Sequence, residues 1–203
     1  MSKNPIIVFE GIEGSGKSHH INNVANYLRK KRKKFIQIRE PGGNKNSEKI
    51  RKLILDKKST FNKNTDLFLY LSARSENVDI IKKNYKKKII LIDRFVDSTI
   101  AYQHYGMGIN IKLINTINNF LLKGININLT FLNTVNEKNM RKRLLKRKKL
   151  NRYDQFDNKF YTKVQRGFLK ILKKNPKNYM KIDSNLSIYD NEKIILNKID
   201  KLI

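Results

Sequence analysis

The 203-residue chain suits one domain with a sizeable core, expected to span 1–203, and its lack of cysteine excludes a disulfide framework and a thiolate metal site, as fits a reducing, cytoplasmic setting. The opening "MSKNP" runs into a short apolar segment with no signal-peptide core and no bilayer-length apolar stretch, so a soluble protein without a membrane partner is expected. The net charge of +28 invites a nucleic-acid partner, but it is mostly lysine scattered among asparagine and isoleucine, the bias of an AT-rich coding sequence, and no specific nucleic-acid partner is expected.

The first predicted strand is "IIVF" at 6–9, and "GIEGSGKS" at 11–18 follows it directly. The spacing G-x-x-x-x-G-K-S is that of a P-loop, whose backbone N–H groups and following helix N-terminus converge on phosphates. Gly11, Ile12, Glu13, Gly14, Ser15, Gly16, Lys17 and Ser18 therefore form a candidate cradle for a nucleoside triphosphate. Gly11 and Gly16 let the backbone wrap a phosphate, Lys17 reaches the β- and γ-phosphates, and the Ser18 hydroxyl can ligate Mg²⁺. The next stretch reads as a helix with Ile21, Val24, Ala25 and Leu28 on one face. His19 and His20 diverge by about 100° on it and cannot share one ion, so they read as ordinary helix residues.

Further strands are predicted at 35–38, 89–92, 127–132 and 179–182, alternating with amphipathic helices. This order predicts an α/β fold, a five-stranded parallel sheet with helices on both faces, whose ligands sit beyond the strands' C-terminal ends. There the third strand ends in Asp93, suited to a Mg²⁺ shell, and Arg94, suited to an anion. A GTPase would show a D-x-x-G switch and an N-K-x-D base reader, which do not appear where expected. The basic runs "RKKRKK" (29–34) and "KKNYKKK" (82–88) fall at predicted helix ends, where cations favour the dipole.

Six segments carry a resemblance to the thymidylate kinases: "FEGIEGSGKS" (9–18), "REPGG" (39–43), "SEKIRKLIL" (47–55), "LFLYLSARSENV" (67–78), "DRFVDSTIAYQHYG" (93–106) and "RKKLNRYDQFDNKFYTKVQRGFL" (147–169). The resemblance implies a P-loop kinase that phosphorylates dTMP with ATP and Mg²⁺ and that forms a homodimer. It assigns the acceptor phosphate to Arg51 and Arg94, stacking on the base to Tyr70, donation to its O4 to Arg74, a hydrogen bond to the base to Thr99, and the deoxynucleotide pocket to Tyr102 and Gln103. Glu13 looks suited to the sugar 3′-hydroxyl and the metal's water shell. A basic lid at about 141–157 would bring in Arg147 and Arg152 as catalytic cations, since the P-loop carries no arginine between its glycines.

The chain departs from the family pattern at Met107, where arginine is frequent, at Asn133, which replaces an aspartate, and at Gln165, another frequent arginine. Two rival readings stand beside this one. One is a P-loop kinase for a different nucleotide or a deoxynucleoside, and the other is a basic nucleic-acid-binding protein with a vestigial P-loop.

Overall fold

The computed structural model describes residues 4–147 and 150–203. Five strands, β1 (Ile6–Glu10), β2 (Phe35–Arg39), β3 (Ile89–Asp93), β4 (Leu129–Thr134) and β5 (Tyr179–Asp183), form one parallel sheet in the order β2-β3-β1-β4-β5. β1 lies at the centre, with Ile7 opposite Leu91 on one side and Leu129 on the other.

The helices are α1 (Lys17–Lys30), α2 (Lys45–Leu55), α3 (Lys63–Asn84), a short α4 (Val96–Thr99), α5 (Ile111–Leu121), α6 (Glu137–Leu145), α7 (Asn158–Lys174) and α8 (Ile188–Asp200). Alternate residues of β1 serve opposite layers. Ile7 and Phe9 pack with Ile21, Val24 and Leu28 of α1 and with Ile195 and Ile199 of α8. Ile6 and Val8 pack with Ile38, Ile90, Ile92, Phe95 and Ile81 of α3. A strand buried on both faces has to be apolar at every position, which is why β1 and β3 read as continuous runs, whereas the edge strands β2 and β5 carry the exposed Gln37 and Lys181. The abundant asparagines are put to use as helix caps: Asn44, Asn62, Asn110 and Asn136 each accept first-turn N–H groups of α2, α3, α5 and α6.

Two local features differ from the sequence expectation. Four of the ladders run one residue past the apolar run, to Glu10, Arg39, Asp93 and Asp183. The fourth strand is shifted, not merely extended, because Asn128 terminates it: its side-chain Oδ1 accepts from Ile6 N–H (2.8 Å) while its own N–H donates to Ile6 O (3.0 Å). In addition, α4 passes into a π-helical segment, Ile100–Gly106, in which Met107 N–H donates to Tyr102 O at 3.0 Å. This segment lies against α7, where a Cβ on Gly167 would collide with the Tyr105 ring and one on Gly106 with Phe160. Glycine in mid-helix costs about 1 kcal/mol of propensity, and here the close approach requires it. Among the described residues no helix is long and apolar enough to cross a membrane.

Candidate active site

The P-loop leaves the central strand and enters α1 through Gly16, whose φ of +86° suits a residue without Cβ. No side chain caps α1 and no acid stands in its first turn, so its N-terminal N–H groups and dipole face outward unneutralised. Gly11 presses on the Asn133 carbonyl, leaving no room for a Cβ. From behind, Arg143 of α6 donates to Gly14 O (2.8 Å) and Ser184 O (2.6 Å), and Ser184 Oγ donates to Ser15 O (2.6 Å). Lys17 is folded onto the loop, donating to Ile12 O (2.8 Å) and Ser15 Oγ (3.3 Å). Burial first, and then Arg94, pull its pKa down to about 7.

In front of the loop opens a cleft lined by Lys17, Ser18, Arg51, Tyr70, Arg94 and Tyr102 among others. Arg94 dominates its floor. Its φ of +64° is left-handed, a conformation that costs a non-glycine residue on the order of 1 kcal/mol or more. That backbone aims the guanidinium at Gly11 O (2.9 Å), Ser98 Oγ (3.3 Å) and Glu13 Oε1 (2.7 Å) and sets it over the Tyr102 ring at 5.2 Å. Burial opposes its charge, but Glu13, Tyr102, Asp93 and Glu10 together hold its pKa above the ordinary arginine value. Glu13 also accepts the Tyr102 hydroxyl. Burial would raise the pKa of Glu13, yet Arg94 and Lys17 keep it below the usual value.

Ser18 Oγ donates to Asp93 Oδ2 (3.2 Å), while Asp93 Oδ1 is buried without a partner. This pair of hard oxygens fits Mg²⁺. Among the described residues no group of three His, Cys, Asp or Glu side chains could hold a metal, so a cation here would draw its remaining ligands from water and a bound phosphate.

On the far wall, Arg51 of α2 is half-buried, donates to Pro41 O (2.6 Å) and lines the cleft with Tyr70, Arg74, Thr99, Tyr102 and Gln103. Tyr70 meets Tyr153 edge-on at 5.9 Å. Arg74 is only 1% exposed, with Nε on Glu40 (2.8 Å), one terminal nitrogen on Asn118 (2.8 Å) and the other on Phe95 O (2.8 Å). Thr99 Oγ1 is buried with no partner.

A family model described as thymidylate kinase matches residues 9–195. The chain belongs to the thymidylate kinase family. It is 35% identical to the thymidylate kinase of Kosmotoga olearia, over 90% of this chain and 88% of that one. It is 39% identical to that of Thermosipho africanus over 90% of each, and 34% identical to that of Thermoanaerobacter sp. over 99% and 100%. The crystal structure of thymidylate kinase from Ehrlichia chaffeensis superposes with a TM-score of 0.80 at 30% identity, covering 98% of this chain and 99% of that one.

Against the thymidylate kinase pattern, the site residues expected from the sequence fall into three groups, the first being Gly11, Gly14, Ser15 and Gly16, which shape the loop, with Ile12 turned into the core. Glu13, Lys17, Ser18, Arg51, Tyr70, Arg74, Asp93, Arg94, Thr99, Tyr102, Gln103 and Arg147 share the cleft. Arg152 stands apart: its guanidinium is bound to the buried Asp66, which also accepts the Tyr153 hydroxyl. Arg147 lines the cleft and pairs with Asp154 at 2.5 Å. Lys148 and Lys149 of the lid run lie outside the described residues.

The departures from the family pattern have local accounts. Gln165 spans the exit of β4, donating to Val135 O and accepting from Val135 N–H at 3.0 Å each. Asn133 is buried and donates at 3.4 Å to the carbonyls of Glu10 and Phe131. Met107 packs on the cluster around Tyr102 and Phe160.

Sequence reasoning missed Arg143, hidden in a basic run, and also Glu40, Asn118, Asp66 and Tyr153. Glu40 alone carried a signal, as an acid at the head of the Pro-Gly-Gly turn. The two histidines also separate. His19 meets Glu192 at 2.7 Å, whereas His20 is buried and its pKa is lowered to about 4, by burial first and His19 second. Both flank a shallow cavity beside Gly16, with Arg143, Leu186 and Ile188 on its other wall.

Proposed function

We propose that the chain transfers the γ-phosphoryl group of ATP to the 5′-phosphate of dTMP, yielding dTDP and ADP. The observation that carries this reading is that the glycine cradle with its open helix N-terminus and the cations Arg51 and Arg94 border one cleft. Such a cleft can bring two phosphate chains together despite their repulsion. The attacking oxygen is already anionic, so no strong general base is needed, and positioning with charge neutralisation supplies the catalysis.

The loop N–H groups and Lys17 hold the donor phosphates, with Lys17 exchanging Ile12 O for phosphate oxygen. Ser18 and Asp93 would hold Mg²⁺, which when bound neutralises donor charge. Arg51 and Arg94 hold the acceptor phosphate. Arg94 then gives up part of its pairing with Glu13, freeing that carboxylate for the sugar 3′-hydroxyl and the metal's water shell. The base lies between Tyr70, Arg74, Thr99, Tyr102 and Gln103. Nε and both terminal nitrogens of Arg74 are held by protein, and the one on Phe95 O also lies 2.8 Å from Glu40. This fixes the plane and leaves an N–H of the nitrogen on Asn118 for an O4 acceptor. Thr99 Oγ1, buried and unpartnered, is the kind of group a ligand satisfies.

The segment 141–157 acts as a lid within a single domain, with Arg147 the nearer of its two arginines to the reacting phosphates. The lack of cysteine suits the cytoplasm. Exposed Phe68 on α3 and Leu113 and Phe120 on the neighbouring α5 suit burial in a homodimer. A coupled ADP-release assay of the purified protein against the common nucleoside monophosphates tests the reading. dTMP should be preferred, and a preference for another monophosphate, or no release with any, would overturn it.

A further inference from the structure

In a parallel sheet with helical crossovers the helix that leads into a strand ends where the strands begin. The basic runs 29–34 and 82–88, which in the sequence look like separate helix ends, are therefore gathered at one end. The pairing of β2 with β3 sets segments 29–34 and 82–88 side by side, joined where Ile89 N–H donates to Lys34 O at 3.0 Å. All six residues of 29–34 are cationic and exposed, and 82–88 adds five lysines. Lys173, Lys174 and Lys177 lead into β5, and Lys198 and Lys201 close α8. The C-terminus comes to the same place, with Lys33 Nζ 3.4 Å from Ile203 O. Within these segments the one side-chain carboxylate is Asp200, 3.5 Å from Lys31. The acids Glu10, Glu13, Glu40, Asp93 and Asp97 lie instead at or beyond the strands' C-terminal ends, around the cleft.

The helix dipole cannot account for this. A helix C-terminus carries about half a negative charge, and six positive ones stand at and just beyond the end of α1, two of them in its last turn. A coding bias sets how many lysines there are, but not that carboxylates are missing from the end where they are packed together. Like charges held side by side repel, and a multivalent anion relieves that repulsion while releasing its own counterions. At this end Tyr27, Phe35, Leu122, Ile125 and Leu202 are packed against the core, and the exposed Phe120, next to the Leu121 carbonyl that Lys82 reaches at 3.3 Å, is the apolar side chain assigned above to a homodimer face. Stable membrane anchoring needs an inserted apolar group as well as charge, whereas a phosphate backbone needs charge alone.

We propose that the end of the molecule opposite the nucleotide cleft binds the phosphate backbone of nucleic acid without reading its bases. The test is fluorescence polarisation of a labelled DNA duplex of arbitrary sequence across a salt series from about 50 to 200 mM, with and without saturating nucleotide. One variant replaces Lys30, Lys34, Lys83 and Lys87 by alanine, and a control of equal charge change replaces Lys57, Lys112, Lys138 and Lys159. All eight lysines are exposed.

Each phosphate contact contributes about 0.9 to the slope of log K against log salt. The first variant should therefore lower the slope by about 3 to 4 if all four lysines touch phosphate, the control should change it by less than about 1, and phosphoryl-transfer turnover should be unchanged in both. Saturating nucleotide should leave duplex binding as it is. Equal losses in the two variants would mean diffuse charge and would overturn the proposal. So would competition by nucleotide, which would put the duplex in the cleft, or binding to phosphatidylserine vesicles with none to the duplex.

Discussion

Lys17 must be cationic to serve a triphosphate, yet burial in the cradle, and then Arg94, hold its pKa at about 7. Above that pH the free protein carries Lys17 largely neutral, and an anion that restores the charge must bring a proton with it. ATP binding at pH 8 should take up close to one proton, read by calorimetry in buffers of different ionisation enthalpy, and apparent affinity should fall by up to tenfold per pH unit above about 7. Lys17→Met should bind more weakly and take up none. The same depression means that the unfolded chain binds the proton the fold sheds, so between about pH 7 and pH 10.5 this group makes the protein more stable as pH rises.

Arg74 carries two burdens in one side chain. The four-residue spacing to Tyr70 was legible in the sequence, but its partners Glu40 and Asn118 lie 34 and 44 residues away, and a single sequence does not reveal such pairings. Arg74→Ala should lower the dTMP-to-dCMP ratio of kcat/KM, a reading independent of how much protein is folded. It should also cost about 3–5 kcal/mol of stability in chemical denaturation, because Glu40 is left buried and unpaired. Unfolding at the wild-type midpoint with an unchanged ratio would remove both roles.

Among the elements, the lid is where the spacing of charges in the sequence says least. Arg147 and Arg152 looked equivalent as two arginines in one basic run, but the 3₁₀ turn Arg152–Gln155 distinguishes them by docking one onto α3. Asn151 and Asp154 cap that turn reciprocally, and Asp66 takes both Arg152 and the Tyr153 hydroxyl. Arg147→Ala should lower kcat with little change in the dTMP KM, by up to about 10³-fold if it acts as an arginine finger does. Arg152→Ala should lower kcat less and should increase protease cleavage in 141–157 by undocking the turn. Equal kcat losses with unchanged cleavage would show that Arg152 leaves Asp66 during turnover.

The strands, by contrast, were legible because continuous apolar runs have few other uses in a chain of this size. Their last residues were not, since the ladder continues onto polar side chains that serve the cleft. The π-helical turn carries no periodic signal distinguishing it from the α-helix it extends, although it places Tyr102 and Gln103 at the cleft.

For the whole molecule, fold class and the position of the cleft followed from strand order and one glycine loop, because a parallel sheet with β1 at its centre has its opening where that loop emerges. The distribution of charge did not follow, since it depends on which loops the topology makes neighbours. The basic runs are far apart along the chain and adjacent in space. That arrangement concentrates exposed cations with almost no carboxylates at one pole, whereas at the cleft the cations stand beside buried carboxylates. On a sulfonate bead such a particle has a preferred way to land, cationic pole down and cleft outward. Protein adsorbed from low salt should keep most of its solution turnover per molecule, while protein coupled at random through its lysines to a neutral bead should keep less. Turnover equally low on both supports would mean that the charge does not orient it. Where turnover is kept on the sulfonate bead, the surface chemistry that a biased composition gave this chain doubles as a handle by which the catalyst can be held without being covered.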